Sequence, residues 1–146
     1  MSQPDAPSRD EFPYVQLITT RWKDNDVYGH VNNVEYYSYF DTVINTWLIR
    51  EGGLDIHAGD TIGLCAESHC KFLAAVEFPA AIEAGLRIVT LGNASVRYEI
   101  GLFEEGGGPL AEGWFVHVFV DRADRKPTTI PESIRASLDR LWEPGE

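Results

Sequence analysis

The spacing of hydrophobic positions changes several times along the chain, and each change marks an element. Residues 14–22, YVQLITTRW, carry β-branched and aromatic side chains and predict a first strand. From Val34 to Arg50 the repeat becomes helical. Val34, Tyr37, Ile44 and Leu48 lie close to one stripe, while Tyr36, Phe40, Val43 and Trp47 form a neighbouring one. Two adjoining stripes describe a helix buried over much of its circumference rather than laid on a surface. No Pro or Gly interrupts it, Gly52-Gly53 supplies the stop, and Asn32 or Asn33 is the natural N-cap. Four strand candidates follow, over 61–74, 80–92, 94–105 and 109–121, with no second long helix between them. Gly92-Asn93 reads as a tight hairpin and Gly106–Pro109 as the next turn. An antiparallel meander is the economical topology, because parallel neighbours would need crossovers. Pro131 and the spacing of Ile134, Leu138 and Leu141 predict a short closing helix over 131–142.

Strand, long buried helix, four strands and short helix make an α+β arrangement. One five-stranded antiparallel sheet can bury its apolar face by curling around the helix. The 146 residues suit a single domain over 13–146, and the polar, Pro-containing residues 1–12 predict a frayed tail. A formal net charge of −11 opposes phosphate backbones and anionic lipid, so neither nucleic acid nor membrane is an expected partner. The N-terminal MSQPDAPSRDEF has no apolar leader core and no run approaches a membrane span, which predicts a cytoplasmic protein. Cys65 and Cys70 have neither redox-motif nor zinc-clip spacing and are expected to be reduced core thiols. His57, His69 and His117 show no ligand spacing either; no metal and no cofactor is expected.

The candidate chemistry is concentrated just before the helix, in DNDVYGHVNN (24–33). Attack on a carbonyl carbon needs a base or nucleophile near that carbon and a donor for the charge that builds on its oxygen. A helix N-terminus offers unsatisfied N–H groups and a partial positive charge. A carboxylate in the loop leading into that helix can stand on the other side of the same carbonyl. The plainer reading makes Asp26 a loop acid in an Asx-turn, His30 a hydrogen-bonding loop residue, and Asn32 and Asn33 caps. Asp24 reads as structural or solvent-facing, and Glu67 is the next carboxylate to consider. Gly29 is the natural positive-φ position.

Element order and DNDVYGHVNN ahead of VEYYSYFDTVINTWL together resemble the hot-dog-fold acyl-CoA thioesterases of the 4-hydroxybenzoyl-CoA thioesterase family. The likeness runs from about Tyr14 to Pro131 and includes Ile130-Pro131 after the last strand. It implies Asp26 as the catalytic carboxylate and the backbone N–H of Asn33 as the group that polarises the carbonyl, with His30 as a participant. It also implies an acyl-CoA substrate and a homodimer or homotetramer whose site is completed at the interface. Tyr28, Gly29 and Tyr36 are the candidate substrate contacts, Tyr36 being otherwise a core or interface residue. Lys71, Arg97 and the group Arg122, Arg125 and Lys126 are the cations available for the CoA phosphates in so acidic a chain. The acyl-carrier-protein thioesterases share the HVNN run but carry Asn where this chain has Tyr28. Two other readings compete: a non-catalytic acyl-binding module of the same fold, and a hot-dog hydratase. The hydratase signature, Asp-x-Asn-Pro-x-His, lacks its Asn and Pro here.

Overall fold

A computed structural model describes residues 6–142. Strand β1 (Tyr14–Thr19) leads through a 3-10 turn at Trp22–Asp24 to α1 (Asn33–Arg50). Then come β2 (Thr61–Phe72), β3 (Ala81–Leu91), β4 (Ser95–Glu104), β5 (Pro109–Asp121) and α2 (Glu132–Asp139). The hydrophobic spacing located these elements to within three residues at every end.

All five strands form one antiparallel sheet in the order β1-β3-β4-β5-β2. The expected meander therefore holds only for β3, β4 and β5. Strand β2 runs along the far side of β5, from Thr61 opposite Asp121 to Phe72 opposite Ala111, and β3 receives β1 instead. The tight turns at Gly92-Asn93 and Gly106–Gly108 determine only the neighbours they join. The connection from β2 to β3, residues 73–80, carries no such turn and crosses the sheet.

Helix α1 packs on the inner face of the sheet. Phe40, Val43, Ile44 and Leu48 are fully buried there with Ile82, Ala84 and Leu86 of β3, Tyr98 and Leu102 of β4, and Phe119 of β5. Each large side chain of this set contributes about 1.5–3 kcal/mol by leaving water. His117, also inner-facing and 2% exposed, bonds the Tyr98 hydroxyl through Nδ1 at 3.1 Å. Burial pushes its pKa down to about 4.

Three expectations need correction. Residues 1–5 of the expected tail lie outside the described residues, but Arg9–Glu11 form a 3-10 turn and Phe12 is buried on the outer face. Phe12 sits over the cross-strand pair Gly85–Gly101, where an added Cβ would come within 2.6 Å and 2.8 Å of its ring. Arg9 pairs with Glu83 and donates to the carbonyls of Glu104 (2.8 Å) and Gly107 (2.7 Å). Local polarity conceals this docking because the recess is made by two glycines on different strands. The second correction concerns the thiols: Cys70 is buried but Cys65 is exposed. Cys65 belongs to the stretch 64–69 of the edge strand β2, all of it exposed. The third is Glu67, whose register opposite Val116 puts it on the outer face, away from the helix. No helix among the described residues is long and apolar enough to cross a membrane.

Candidate active site

Between the 3-10 turn and α1 the chain doubles back on itself. The Asp26 N–H donates to the His30 carbonyl (2.9 Å), the Gly29 N–H to the Asp26 carbonyl (3.1 Å), and the Asn32 N–H to the Asp24 carbonyl (2.8 Å). Gly29 makes the reversal at φ +89°, a conformation that a side chain would strain. Two further bonds fasten this small hairpin to the 73–80 connection: Val31 N–H to the Val76 carbonyl (2.8 Å), and Phe78 N–H to Asn25 Oδ1 (3.1 Å). The Asp26 carboxylate is half-buried, and its Oδ1 accepts the Tyr28 N–H at 2.9 Å. The Asx-turn of the plainer reading is thus present, and it leaves the second oxygen without a protein donor among the described residues.

Of the two candidate caps, Asn32 is the one used. Its Oδ1 accepts the Val34 N–H (3.0 Å), and its carbonyl accepts the Glu35 N–H (2.9 Å). The Asn33 N–H, first in the helix, donates to no group among the described residues. An unengaged N–H at the positive end of an 18-residue helix is an anion-seeking group. The hairpin therefore joins a carboxylate with a free oxygen to a helix start with a free donor. Such a pair can activate water or attack a carbonyl carbon while stabilising the oxyanion.

The remaining sequence-derived residues divide into those near this corner and those far from it. Tyr28, 84% exposed, and Val27, 94% exposed, form the tip of the hairpin. His30 is exposed and lines a shallow depression with Val76, Phe78, Pro79 and Glu104. Tyr36 is buried one helical turn below Asn33, edge-on to Phe72 at 4.9 Å. Lys71 is exposed near the end of β2 that leads into the 73–80 connection. Arg97 is not brought to the corner: its guanidinium stacks 4.3 Å over Trp114 on the outer face. Along β4 it lies roughly 23 Å from Glu104, at about 3.3 Å per residue. Arg122 is engaged elsewhere, donating to the carbonyls of Gly59 (2.5 Å) and Ile56 (2.9 Å).

Asp24 has no exposed surface. Its carboxylate accepts the Tyr39 hydroxyl (2.7 Å), the Arg21 N–H (2.9 Å) and Arg21 Nε (3.2 Å). Burial alone would raise its pKa, but the bonds from Tyr39 and Arg21 hold it below the ordinary carboxylate value. The Tyr39 hydroxyl is pushed up, by burial first, then by its hydrogen bond to Asp24 and by the Asp24 charge. Of the two options for Asp24, the structural one is correct. Nothing local distinguished it from Asp26, since the partner that buries it comes from the second turn of α1.

A sheet wrapped on one long helix, with a carboxylate hairpin at the helix start, defines the hot-dog class. The chain belongs to the thioesterase-like superfamily, whose profile matches residues 20–138, and so to the thioester hydrolases. Among solved structures, the PA5185 protein of Pseudomonas aeruginosa strain PAO1 is 51% identical. Its TM-score is 0.91, over 94% of this chain and 97% of that one. The PA2801 protein of Pseudomonas aeruginosa, named as a candidate thioesterase, is 30% identical. It has a TM-score of 0.81 over 87% of this chain and 98% of its own. Slr0204 of Synechocystis, a 1,4-dihydroxy-2-naphthoyl-CoA thioesterase, shares the fold at 17% identity and TM-score 0.78, over 88% and 96% of the two chains. No curated protein matches the chain. The superfamily is the level at which the resemblance seen in the sequence is met; the narrower 4-hydroxybenzoyl-CoA thioesterase family is not singled out.

Proposed function

We propose that the protein hydrolyses acyl-CoA thioesters to the free acid and CoA, with Asp26 as the reacting carboxylate and the Asn33 N–H as the oxyanion donor. The observation that carries this reading is the free helix-start N–H joined to a half-free carboxylate by one hairpin, closed by three main-chain bonds and fixed to the 73–80 connection by two further bonds. The thioester oxygen takes the Asn33 N–H, which draws electron density from the carbonyl carbon. Asp26 then removes a proton from attacking water, or attacks the carbon itself. In the second route the C–S bond breaks, CoA leaves as the thiolate, and water cleaves the resulting mixed anhydride. His30 lends its carbonyl to Asp26 and stands on the rim. Tyr28 and Gly29 form the lip over the entering substrate, and Tyr36 the floor beneath Asn33.

The open edge of β2 supports a homodimer, or a tetramer built from it. Residues 64–69 present unpaired backbone on a strand of 12 residues, and a second copy related by a two-fold axis would cover it. Antiparallel pairing of two β2 strands sets the Thr61 end of one beside the Phe72 end of the other. Arg125 and Lys126 follow β5 at the Thr61 end, so the partner's copies would come to the corner that holds Asp26. They are better candidates for CoA phosphates than Arg97.

The test is thiol release across a panel of acyl-CoA substrates, repeated with Asp26→Asn, alongside light scattering at micromolar concentration. Turnover lowered by about 10²–10⁴-fold by Asp26→Asn in a folded dimer is the expected result. A flat panel from folded protein supports the non-catalytic acyl-binding module instead, and a monomer mass refutes the shared site.

A further inference from the structure

The Asp26 hairpin does not hang on its own ladder alone. Its first leg starts at Asp24, and Asp24 grips α1 twice. Its carbonyl accepts the N–H of Asn32, the N-cap residue, at 2.8 Å. Its carboxylate accepts the hydroxyl of Tyr39, a buried residue in the second turn of α1, at 2.7 Å. Around this bond the 3-10 turn is tied to the first turn as well, through Arg21 and Lys23 to Glu35 at 3.4 Å and 3.8 Å. Asp26 stands two residues beyond the clasp on one side, and the Asn33 N–H one residue beyond the cap on the other. The covalent and hydrogen-bonded path between the two reacting groups is therefore short, and Asp24 is in the middle of it.

A stabilising role alone accounts poorly for this placement. Buried carboxylates held by charged partners are on average no more stabilising than well-packed apolar side chains of the same volume. What they supply is a single geometry, because short charge-assisted bonds tolerate little displacement. We infer that Asp24 and Tyr39 are positioning residues, and that their buried bond sets where the Asp26 carboxylate stands relative to the Asn33 N–H. This inference rests on the assignment of Asp26 made above.

Tyr39→Phe tests it with the least disturbance, since the ring stays and only the hydroxyl goes. On the best acyl-CoA of the panel, assayed well below the melting temperature, kcat falls about tenfold and KM stays within about twofold. A shift on the ångström scale at reacting groups costs up to about a hundredfold in rate. Asp24→Asn gives the same split between kcat and KM and guards against an effect peculiar to the ring.

The decisive comparison is Tyr39→Phe made on Asp26→Asn. If Tyr39 acts through Asp26, its loss costs less than about twofold once the carboxylate is gone, because the two changes share one cause. Equal losses in both backgrounds, or wild-type kcat in folded Tyr39→Phe, overturn the inference. Wild-type turnover by Asp26→Asn overturns the Asp26 assignment itself, and the inference with it.

Discussion

Asp24 lies in the 3-10 turn with no surface exposed and three donors on its carboxylate. Asp26, two residues further along, keeps one main-chain donor on one oxygen and remains half open to solvent. Both are aspartates of one short loop, so the difference comes from what α1 presents to each. Tyr39 reaches Asp24 from the second turn of the helix, whereas among the described residues no side chain of α1 bonds the Asp26 carboxylate. A carboxylate whose oxygens are all engaged is fixed in place and inert, and one with a free oxygen can still accept a proton or attack. The contrast divides the loop into a part that holds and the part to which the proposed chemistry is assigned, and it can be broken by exchanging the effects of mutation.

The largest effect is expected at the open carboxylate. Asp26→Asn lowers kcat by about 10²–10⁴-fold, as for loss of a general base or nucleophile. Its melting temperature stays close to wild type, because one exposed main-chain bond is the only contact weakened. Steady-state kinetics with thermal melts on the same preparation check both halves, and a folded variant with normal turnover removes Asp26 from the chemistry.

Asp24→Ala should show the reverse balance. It leaves the buried Tyr39 hydroxyl without its partner, while the half-exposed Arg21 can turn to solvent, and an unsatisfied buried hydroxyl costs about 1–3 kcal/mol of stability. Urea unfolding measures this. A loss below about 1 kcal/mol would put Asp24 among ordinary surface charges and dissolve the comparison.

Acid separates the committed groups from the open ones in another way. His117 binds its proton only near pH 4 in the folded protein, because burial disfavours the charged ring, whereas an unfolded chain binds it near pH 6.5. The unfolded state therefore holds more protons between these values, and stability present above pH 6.5 is lost as the pH falls towards 4. The contribution is about 3 kcal/mol from this group. His117→Gln should flatten that part of the stability profile while leaving the Asp26 chemistry intact. An unchanged slope would mean that the Tyr98–His117 pair is not buried in solution.

The smallest effect belongs to the cations. Lys126→Ala raises KM for acyl-CoA about fivefold at low salt with kcat unchanged, the scale of one exposed charge contact of about 1 kcal/mol. The difference shrinks as salt rises. Arg97→Ala leaves KM unchanged, since its guanidinium is stacked on Trp114. If Arg97 matters and Lys126 does not, the substrate handle runs over the outer face and not to the β2 edge.

What could be read from the sequence was whatever depends on neighbours along the chain. The switch between helical and alternating spacing located α1 and every strand, because the side-chain period of an element is a local property. Gly29 was legible as the reversal for the same reason, since only its own backbone decides the cost of positive φ. So were the narrowing of the cap to Asn32 or Asn33 and the place of Asp26 between Gly29 and the first strand. The tertiary structure decided everything that depends on which element lies beside which. The pattern shows that β2 has an inner and an outer face, but not that β5 is its partner, so the meander and the buried Cys65 failed together, and the place of Glu67 on the outer face could not be read. Phe12 docks because Gly85 and Gly101 meet across two strands, and Arg97 is drawn away by Trp114 of the next strand. Asp24 became a buried anchor, and Asp26 an open one, only when Tyr39 folded back over the turn. Burial and hydrogen bonding are properties of a place in space, and two aspartates with the same local chemistry acquire different ones when the helix closes over one of them.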